Sequence, residues 1–296
     1  MTHPVIPPLS DELIQRVTRH RSDALRGVVK VDPAKLARDY LDLNRARELF
    51  NRVRPLLPAQ GGRMLELGSG FGTLVSYAAK WEGVQAFGVE PNPDSAAVCR
   101  AVQDELGLTG NRIPRAAGES LPFASGTMDL VCSFTVFEHV ADPAAVLAEA
   151  VRVLRSPDPA SGKPGGTLHF AFPNYGSWWE GHYAILWIPH IAKPLAKLYV
   201  RLLGRNPAFL NHLQLIDYRR LMKYLAPLRE QVEVLDLGQS TWEERLRTAA
   251  FSDWAQLSKL KGWVRLVQRL RLVDLLIRLG RRLHWETPFI LVLRKR

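Results

Sequence analysis

The sequence predicts an α/β fold in which helices cover a mostly parallel sheet. Short apolar runs alternate with helical segments of about ten residues, which is typical of strand–helix–strand units. A glycine-rich turn follows the first of these runs, as in nucleotide-type sites of such folds. The chain has 296 residues, 47% hydrophobic and 23% charged, so it can bury a large core.

The first part of the chain indicates helices. Asp32–Pro33 combines an N-cap residue with a proline at the first helical position. Apolar residues recur at helical spacing over 36–50, and Pro55 ends the run. We therefore predict an N-terminal helical segment, residues 1–60, followed by a larger domain at 61–296.

Strands and helices then alternate. The predicted strands are Arg63–Leu67, Gln85–Glu90, Met128–Phe134, Gly166–Phe172, Gln231–Leu237 and Pro288–Arg294. The predicted helices are Thr73–Trp81, Asp94–Leu106, Pro143–Leu154 and Asp217–Leu225. Two stretches interrupt the pattern and are too long for simple connections: an aromatic insert at 176–228 and a basic helical insert at 241–285.

Composition narrows the class of protein. The two cysteines, Cys99 and Cys132, exclude a disulfide scaffold and a zinc site built mainly from cysteine, and both lie in apolar runs typical of buried thiols. The sequence shows neither a signal peptide nor a transmembrane run, so we expect a cytoplasmic protein, either soluble or peripheral on the inner membrane surface. The formal net charge is +11, and residues 241–296 hold 13 Lys and Arg against 5 Asp and Glu.

The glycine-rich turn lies in Met64–Gly72, with the sequence MLELGSGFG. Its three glycines let the backbone approach a ligand closely at the positive end of the next helix. Thr73 stands where a nicotinamide-type fingerprint carries its third glycine, and Glu66 places an acid in an otherwise apolar strand. Glu90 ends the next strand, where a carboxylate accepts hydrogen bonds from ribose hydroxyls. The alternative for Glu90 is a loop acid that caps the following helix.

Four segments together resemble class I S-adenosylmethionine-dependent methyltransferases. They are Leu65–Gly72 (LELGSGFG), Val89–Asn92 (VEPN), Glu119–Val131 (ESLPFASGTMDLV) and Phe137–Pro143 (FEHVADP). The resemblance spans roughly residues 63–174. It implies a Rossmann-like, seven-stranded, mostly parallel sheet with an antiparallel last strand, and S-adenosyl-L-methionine as cofactor.

The resemblance also implies which residues bind the cofactor. They are Glu66, Gly68, Ser69, Gly70, Gly72, Glu90, Pro91, Gly118, Glu119, Ser120 and Phe134. Ala117 is a departure, because relatives often carry an acid there that binds the adenine amino group. We expect the segment Gly118–Ser120 to hold adenine instead. The departure leaves open a non-catalytic relative that serves as a scaffold or partner subunit.

Candidate catalytic residues come after two of the predicted strands, Met128–Phe134 and Gly166–Phe172. His139 lies at the expected mouth of the site, and His182 and Tyr183 lie in the aromatic insert beside Glu180. These histidines suit acceptor orientation or proton removal, and the alternative is a purely structural role. Quinone-type O-methyltransferases of this family carry a further acid at the position of Thr135, so we predict no metal.

The acceptor is expected to be a hydrophobic or amphipathic small molecule, with a lipid-linked molecule as one option. Residues 194–203 and 260–270 have cationic amphipathic patterns that suit an anionic membrane surface, and packing onto the sheet or a second subunit is the alternative. We expect Gly280 to end a helix before Arg281. Nucleic acid is not an expected partner, because SFTVFEHV stands where base-amine methyltransferases carry their N/D-P-P-Y-like segment.

Overall fold

A computed structural model of the chain describes residues 6–24, 32–249 and 260–296. Parts of the predicted N-terminal segment (1–5 and 25–31) and of the predicted basic insert (250–259) lie outside the described residues. The helices are α1 Asp11–Ala24, α2 Pro33–Leu41, α3 Leu43–Val53, α4 Thr73–Trp81, α5 Pro93–Glu105, α6 Pro143–Val153, α7 Lys193–Leu202, α8 Tyr218–Leu225, α9 Gln239–Thr248, α10 Leu260–Arg269 and α11 Val273–Leu283. The strands are β1 Arg63–Leu67, β2 Gln85–Val89, β3 Leu130–Phe134, β4 Thr167–Phe172, β5 Trp179–Glu180, β6 Ile185–Leu186, β7 Val232–Asp236 and β8 Phe289–Lys295.

The main sheet confirms the predicted α/β architecture. Its strand order is β2-β1-β3-β4-β8-β7. Strands β1 to β4 pair in parallel, and the last strand, β8, runs antiparallel between β4 and β7. Because β1 and β3 are neighbours and the chain passes from β2 to β3, the carboxyl ends of these strands open a crevice where such folds bind ligands.

The sheet has six strands rather than the predicted seven. The segment beyond β2 approaches as an edge strand would, since the carbonyls of Arg112 and Pro114 accept hydrogen bonds from the backbone N–H groups of Gly88 and Glu90. Pro114 has no N–H group to donate in return. The pairing therefore stops after two hydrogen bonds, and no seventh strand forms in the described residues.

Apolar side chains bury both faces of the sheet. Phe137, Phe170 and Phe172 pack on one face with helices α6 and α8. On the other face, Phe50 of α3 and Tyr77 of α4 pack against β1 and β3. The N-terminal helices thus belong to the core of the fold, and this packing carries α2 and α3 to the rim of the crevice.

The basic insert packs on itself around Trp242 of α9, which lies with Val264 of α10 and Ile277 of α11. The expectation that Gly280 ends a helix is wrong, because α11 continues to Leu283. A Cβ at position 280 would lie 2.0 Å from the Trp242 ring, so the glycine is required for close packing rather than for helix termination. Among the described residues, we find no helix with the length and apolar character needed to cross a membrane.

Candidate functional site

A cavity of about 940 Å³ opens at the carboxyl ends of β1, β3 and β4. Its floor contains the glycine turn, and its walls come from α2 and α3 on one side and from α9 on the other. The β5–β6 hairpin of the aromatic insert contributes Trp179 and Gly181. Ligand sites of small molecules occupy about 300–1,000 Å³, so the space suits a cofactor together with an acceptor.

The glycine turn is held in a left-handed conformation that few side chains tolerate. Gly68 has a φ of 69°, and a Cβ there would lie 2.4 Å from Val136. Gly70 has a φ of 55° with open space beside it, and its N–H group donates to Glu90 Oε2 at 2.9 Å. The turn therefore presents bare backbone to the cavity. Gly72, also left-handed, packs instead against Ile113, which a Cβ would meet at 2.5 Å.

Glu66 is the ionisable group at the floor of the cavity. Its side chain is 7% exposed, and its Oε2 atom has no hydrogen-bond partner among the described residues. Burial, and then the charge of Glu90, raise the pKa of Glu66 to about 8. A buried carboxyl group without a partner is costly unless a ligand completes its hydrogen bonds. The position therefore suits a cationic group, such as an ammonium.

Helix α4 begins at this floor without a side-chain cap. Gly72 is its N-cap residue and supplies no side-chain hydrogen bond to the first turn, and Thr73 lines the cavity. Uncapped N–H groups and the helix dipole favour an anion such as a carboxylate. A carboxylate next to an ammonium is the pattern of an amino acid, so the floor fits the methionine part of S-adenosylmethionine.

The remaining predicted cofactor residues divide into two groups. Ser69 and Phe134 line the cavity. Glu90, Pro91 and the segment Gly118–Ser120 lie outside its described lining.

Glu90 lies beneath the glycine turn, with Oε2 bound to Gly70 and Oε1 accepting from the Asn92 N–H group at 3.0 Å. Its position beside the turn is compatible with the ribose prediction, which stays a prediction. The Glu119 carboxylate accepts from the N–H groups of Ala141 and Asp142 at the start of α6.

The cavity contains a histidine that the sequence reasoning missed. His169 lies on β4, is 6% exposed, and its Nδ1 atom has no hydrogen-bond partner in the described chain. Burial lowers the pKa of His169 to about 4, so the ring is neutral at physiological pH. Its ring lies 5.4 Å from that of Phe134. A polar residue in the apolar run Thr167–Phe172 (TLHFAF) was the only available signal.

Thr135, which lines the same cavity as His169, has a strained backbone conformation. It lines the cavity at the end of β3 with a φ of 54°, which is unfavourable for a β-branched residue. Its N–H group donates to the Ala171 carbonyl at 2.8 Å, which fixes the turn. Such strain is found preferentially at functional sites.

The predicted catalytic residues form a separate cluster. His139, His182 and Tyr183 are absent from the described lining of the cavity. The rings of His139 and His182 lie 5.3 Å apart, and His182 Nδ1 lies 2.7 Å from Glu180 Oε1. Tyr183 is buried, and its hydroxyl donates to the Asn206 carbonyl at 2.8 Å.

The two histidines of this cluster titrate differently. Burial lowers the pKa of His139 to about 4. Burial also lowers the pKa of His182, but its hydrogen bond with Glu180 and the charges of Glu180 and Glu138 outweigh this effect and raise it. Their catalytic role stays a prediction.

The fold and this floor fit the class I architecture of S-adenosylmethionine-dependent methyltransferases. A family model described as a methyltransferase domain matches residues 65–157. An uncharacterized methyltransferase of Mycolicibacterium vanbaalenii is 32% identical over 206 residues, covering 68% of this chain and 75% of that protein. The chain belongs to this methyltransferase family.

Other relatives match over shorter stretches. An uncharacterized methyltransferase of Mycobacterium sp. strain JLS is 37% identical over 123 residues, 41% of this chain and 43% of that protein. A ubiquinone biosynthesis O-methyltransferase of Cereibacter sphaeroides is 32% identical over 139 residues, 47% of this chain and 51% of that protein. The chain thus matches about half the length of these two relatives.

Proposed function

We propose that this protein transfers the methyl group of S-adenosylmethionine to a hydrophobic or amphipathic small molecule. The observation that carries the proposal is the cavity, whose floor fits an amino acid and whose walls extend over β4 and β8 to α9. When bound, the cofactor supplies an electrophilic methyl group on a sulfonium, whose sulfur becomes a neutral thioether. The protein therefore has to align and desolvate the two reactants rather than supply charge.

In this proposal, Glu66 binds the ammonium of the cofactor, and the first turn of α4 binds its carboxylate. Glu90 holds the turn through Gly70. Beyond the floor, Phe134 and Ile290 provide apolar surface for the body of the acceptor. The relative from Cereibacter sphaeroides is named for ubiquinone biosynthesis, which supports an acceptor with a large apolar part.

We assign His169 to the polar group of the acceptor. The neutral imidazole lies in the wall of the cavity, and its buried Nδ1 atom has no hydrogen-bond partner among the described residues, so a hydroxyl or amine of the acceptor would complete its hydrogen bonding. With a pKa of about 4, it is a weak base and serves mainly to orient the reacting atom. The expected result of His169→Ala is a larger loss in kcat than in cofactor affinity.

The experiment for this proposal uses the full chain and methyl-labelled S-adenosylmethionine. Labelled cofactor is incubated with lipid and aqueous fractions of a cell extract, and organic-phase label and S-adenosylhomocysteine are measured. Label that enters only water-soluble products would refute the hydrophobic acceptor. Cofactor binding without turnover in any fraction would favour the scaffold alternative. His190→Ala is a matched control, since His190 pairs with Asp217 away from the cavity.

We further propose that the protein meets its acceptor at an anionic membrane surface. Large apolar side chains are exposed at intervals of three and four residues along α10 and α11, so each helix presents one apolar face. They are Trp263, Leu266, Leu270, Leu272, Leu275, Leu279 and Leu283. Arginines such as Arg265, Arg269 and Arg278 are also exposed on these helices. Apolar faces flanked by arginine suit the interface of an anionic bilayer.

The aromatic insert also exposes large apolar side chains. Leu195, Leu198 and Leu202 of α7 are exposed. Trp178, itself half-exposed, packs 5.6 Å from Trp285, which lies two residues beyond the end of α11. The buried valines of α10, Val264 among them, pack inward, so the predicted apolar face of this helix divides between an internal and an external part.

Flotation with vesicles tests this surface. The protein should float with vesicles rich in phosphatidylserine at low salt and not with purely phosphatidylcholine vesicles. The double substitution Leu275→Glu and Leu279→Glu should abolish flotation, because both side chains are exposed in the structure. Val234→Glu is the control, since this exposed side chain lies on strand β7. Equal flotation of all three proteins would refute the proposal.

A further inference from the structure

A buried glutamate next to the cavity lacks the partners that such a group requires. Glu138 lies in a short 3₁₀ turn, Phe137–His139, directly after β3, and its side chain is 0% exposed. Neither of its carboxylate oxygens has a hydrogen-bond partner among the described residues. Buried carboxylates in proteins are normally paired, hydrogen-bonded or coordinated to a metal ion.

Two imidazoles face this carboxylate. His139 Nε2 and His182 Nε2 each lie 3.8 Å from Glu138 Oε1, too far for a hydrogen bond. The three ligand atoms all lie within 4.8 Å of one another. We propose that Glu138, His139 and His182 bind one divalent transition-metal ion of the zinc type.

The separations fit such an ion with small movements. Zinc bonds to imidazole nitrogen and carboxylate oxygen are about 2.0–2.1 Å long, so tetrahedral ligand atoms are about 3.3 Å apart. The 3.8 Å separations here would shorten by about half an ångström on binding. Two imidazoles and one carboxylate favour zinc, nickel or cobalt over calcium and magnesium, which prefer oxygen ligands.

The second shell is already in place for His182. Glu180 Oε1 lies 2.7 Å from His182 Nδ1, which directs the Nε2 atom toward Glu138. Glu180 is itself fixed, because it accepts from the Tyr183 N–H group at 2.6 Å and from the Tyr175 hydroxyl at 3.3 Å. A carboxylate behind a ligating histidine is the usual arrangement that fixes the tautomer at metal sites.

The ion would join two parts of the chain that are distant in sequence. Glu138 and His139 follow β3, whereas His182 lies in the turn of the β5–β6 hairpin. Gly181 of the same turn lines the cavity. The metal would therefore hold this hairpin over the crevice. The sequence predicted no metal because Thr135 stands at the position of an acid, and sequence spacing alone could not place His182 beside Glu138.

Cobalt and zinc titrations of the EDTA-treated, untagged full chain test the proposal. We expect one equivalent of Co²⁺ to give the visible absorption of a low-coordinate cobalt site, and Zn²⁺ to displace it and raise the Tm. Glu138→Gln, nearly the same in shape, should abolish the absorption. Glu180→Gln should weaken metal binding by about 10–100-fold, as second-shell changes do elsewhere.

The controls separate this site from adventitious binding and from misfolding. His190→Gln removes another imidazole of the aromatic insert and should leave the cobalt spectrum unchanged. His139→Asn alters a ligand that is one-third exposed, so a folded protein is expected, as circular dichroism would verify. Unaltered cobalt binding in Glu138→Gln, or no stoichiometric binding by the wild type, would overturn the proposal. None of these readouts requires methyl transfer, so failure of the proposed function would not affect them.

Discussion

We predict that Glu66 sets the pH dependence of cofactor binding. In the free protein the pKa of this carboxyl is about 8, because it is buried and lies near Glu90. Binding an ammonium requires the ionised carboxylate, so below pH 8 complex formation must release one proton. The α-amino group of a free amino acid is more basic than a chain N-terminus, whose pKa is about 7.8, because it adjoins a carboxylate rather than an amide. The ligand therefore stays an ammonium through pH 8, and affinity is expected to rise up to that pH and to decline only at higher pH.

The magnitude follows from the ionised fraction of Glu66. With a pKa of about 8 for Glu66 and an amine that stays charged, affinity rises about ninefold from pH 6 to pH 7 and about fiftyfold from pH 6 to pH 8. At still higher pH it declines, because the amine is then deprotonated. Without the carboxyl, as in Glu66→Gln, the rising limb disappears.

Isothermal titration with S-adenosylhomocysteine between pH 6 and pH 9 measures this profile, since this ligand carries the same amino-acid group and is chemically stable. Glu244→Gln is a matched control, because Glu244 is another glutamate of the cavity wall. The rise in affinity from pH 6 to pH 8 should persist in this variant. If Glu66→Gln retained the roughly ninefold rise between pH 6 and pH 7, Glu66 would not be the ammonium ligand, and the assignment of the cavity floor would be wrong.

Three further predictions concern stability. Gly68→Ala should lower the free energy of unfolding by more than the roughly 1–2 kcal/mol that a left-handed backbone costs, because its Cβ would also clash with Val136. Gly70→Ala should incur only the backbone cost, since there is open space beside it. Urea unfolding compares the two variants, and equal losses would contradict the packing argument. Gly262→Ala, with open space beside it in α10, should stabilise by about 0.5–1 kcal/mol, and a lower Tm would contradict this. The pKa of His169 in the folded protein is lowered from 6.5 to about 4, so its contribution to the free energy of unfolding is present above pH 6.5 and is lost as the pH falls. Relative to His169→Phe, the wild type should lose about 3 kcal/mol of that free energy between pH 6.5 and pH 4. The same pH dependence of unfolding in both proteins would contradict this.

Much of the fold was predictable because its signals are local. Strand β1 and helix α4 have the predicted bounds, since an apolar run, a glycine turn and an apolar helix follow one another directly. The missing seventh strand has a local cause as well, namely Pro114. The role of Gly280 was not predictable, because the ring of Trp242 that requires the glycine lies 38 positions earlier in the chain.

In the candidate site, too, the features with local signals were predictable and those that depend on distant residues were not. Glu66 and the glycine turn could be predicted to lie together because they are neighbours in sequence, and both line the cavity. His169 was missed, since a histidine in an apolar strand carries no sign of the cavity it faces. The histidines selected from sequence, His139 and His182, do come together, but beside Glu138 and away from the described lining of the cavity.

The sequence by itself determined the α/β class, the family and the placement of Glu66 beside the glycine turn, because these depend on residues a few positions apart. Only the tertiary structure decided which distant side chains share a space: His169 with Glu66 in one cavity, and His182 with Glu138 in another cluster. Periodicity and spacing report the conformation of a segment. The distance between segments depends instead on how the sheet, the N-terminal helices and the inserts pack, and that packing is a property of the whole chain.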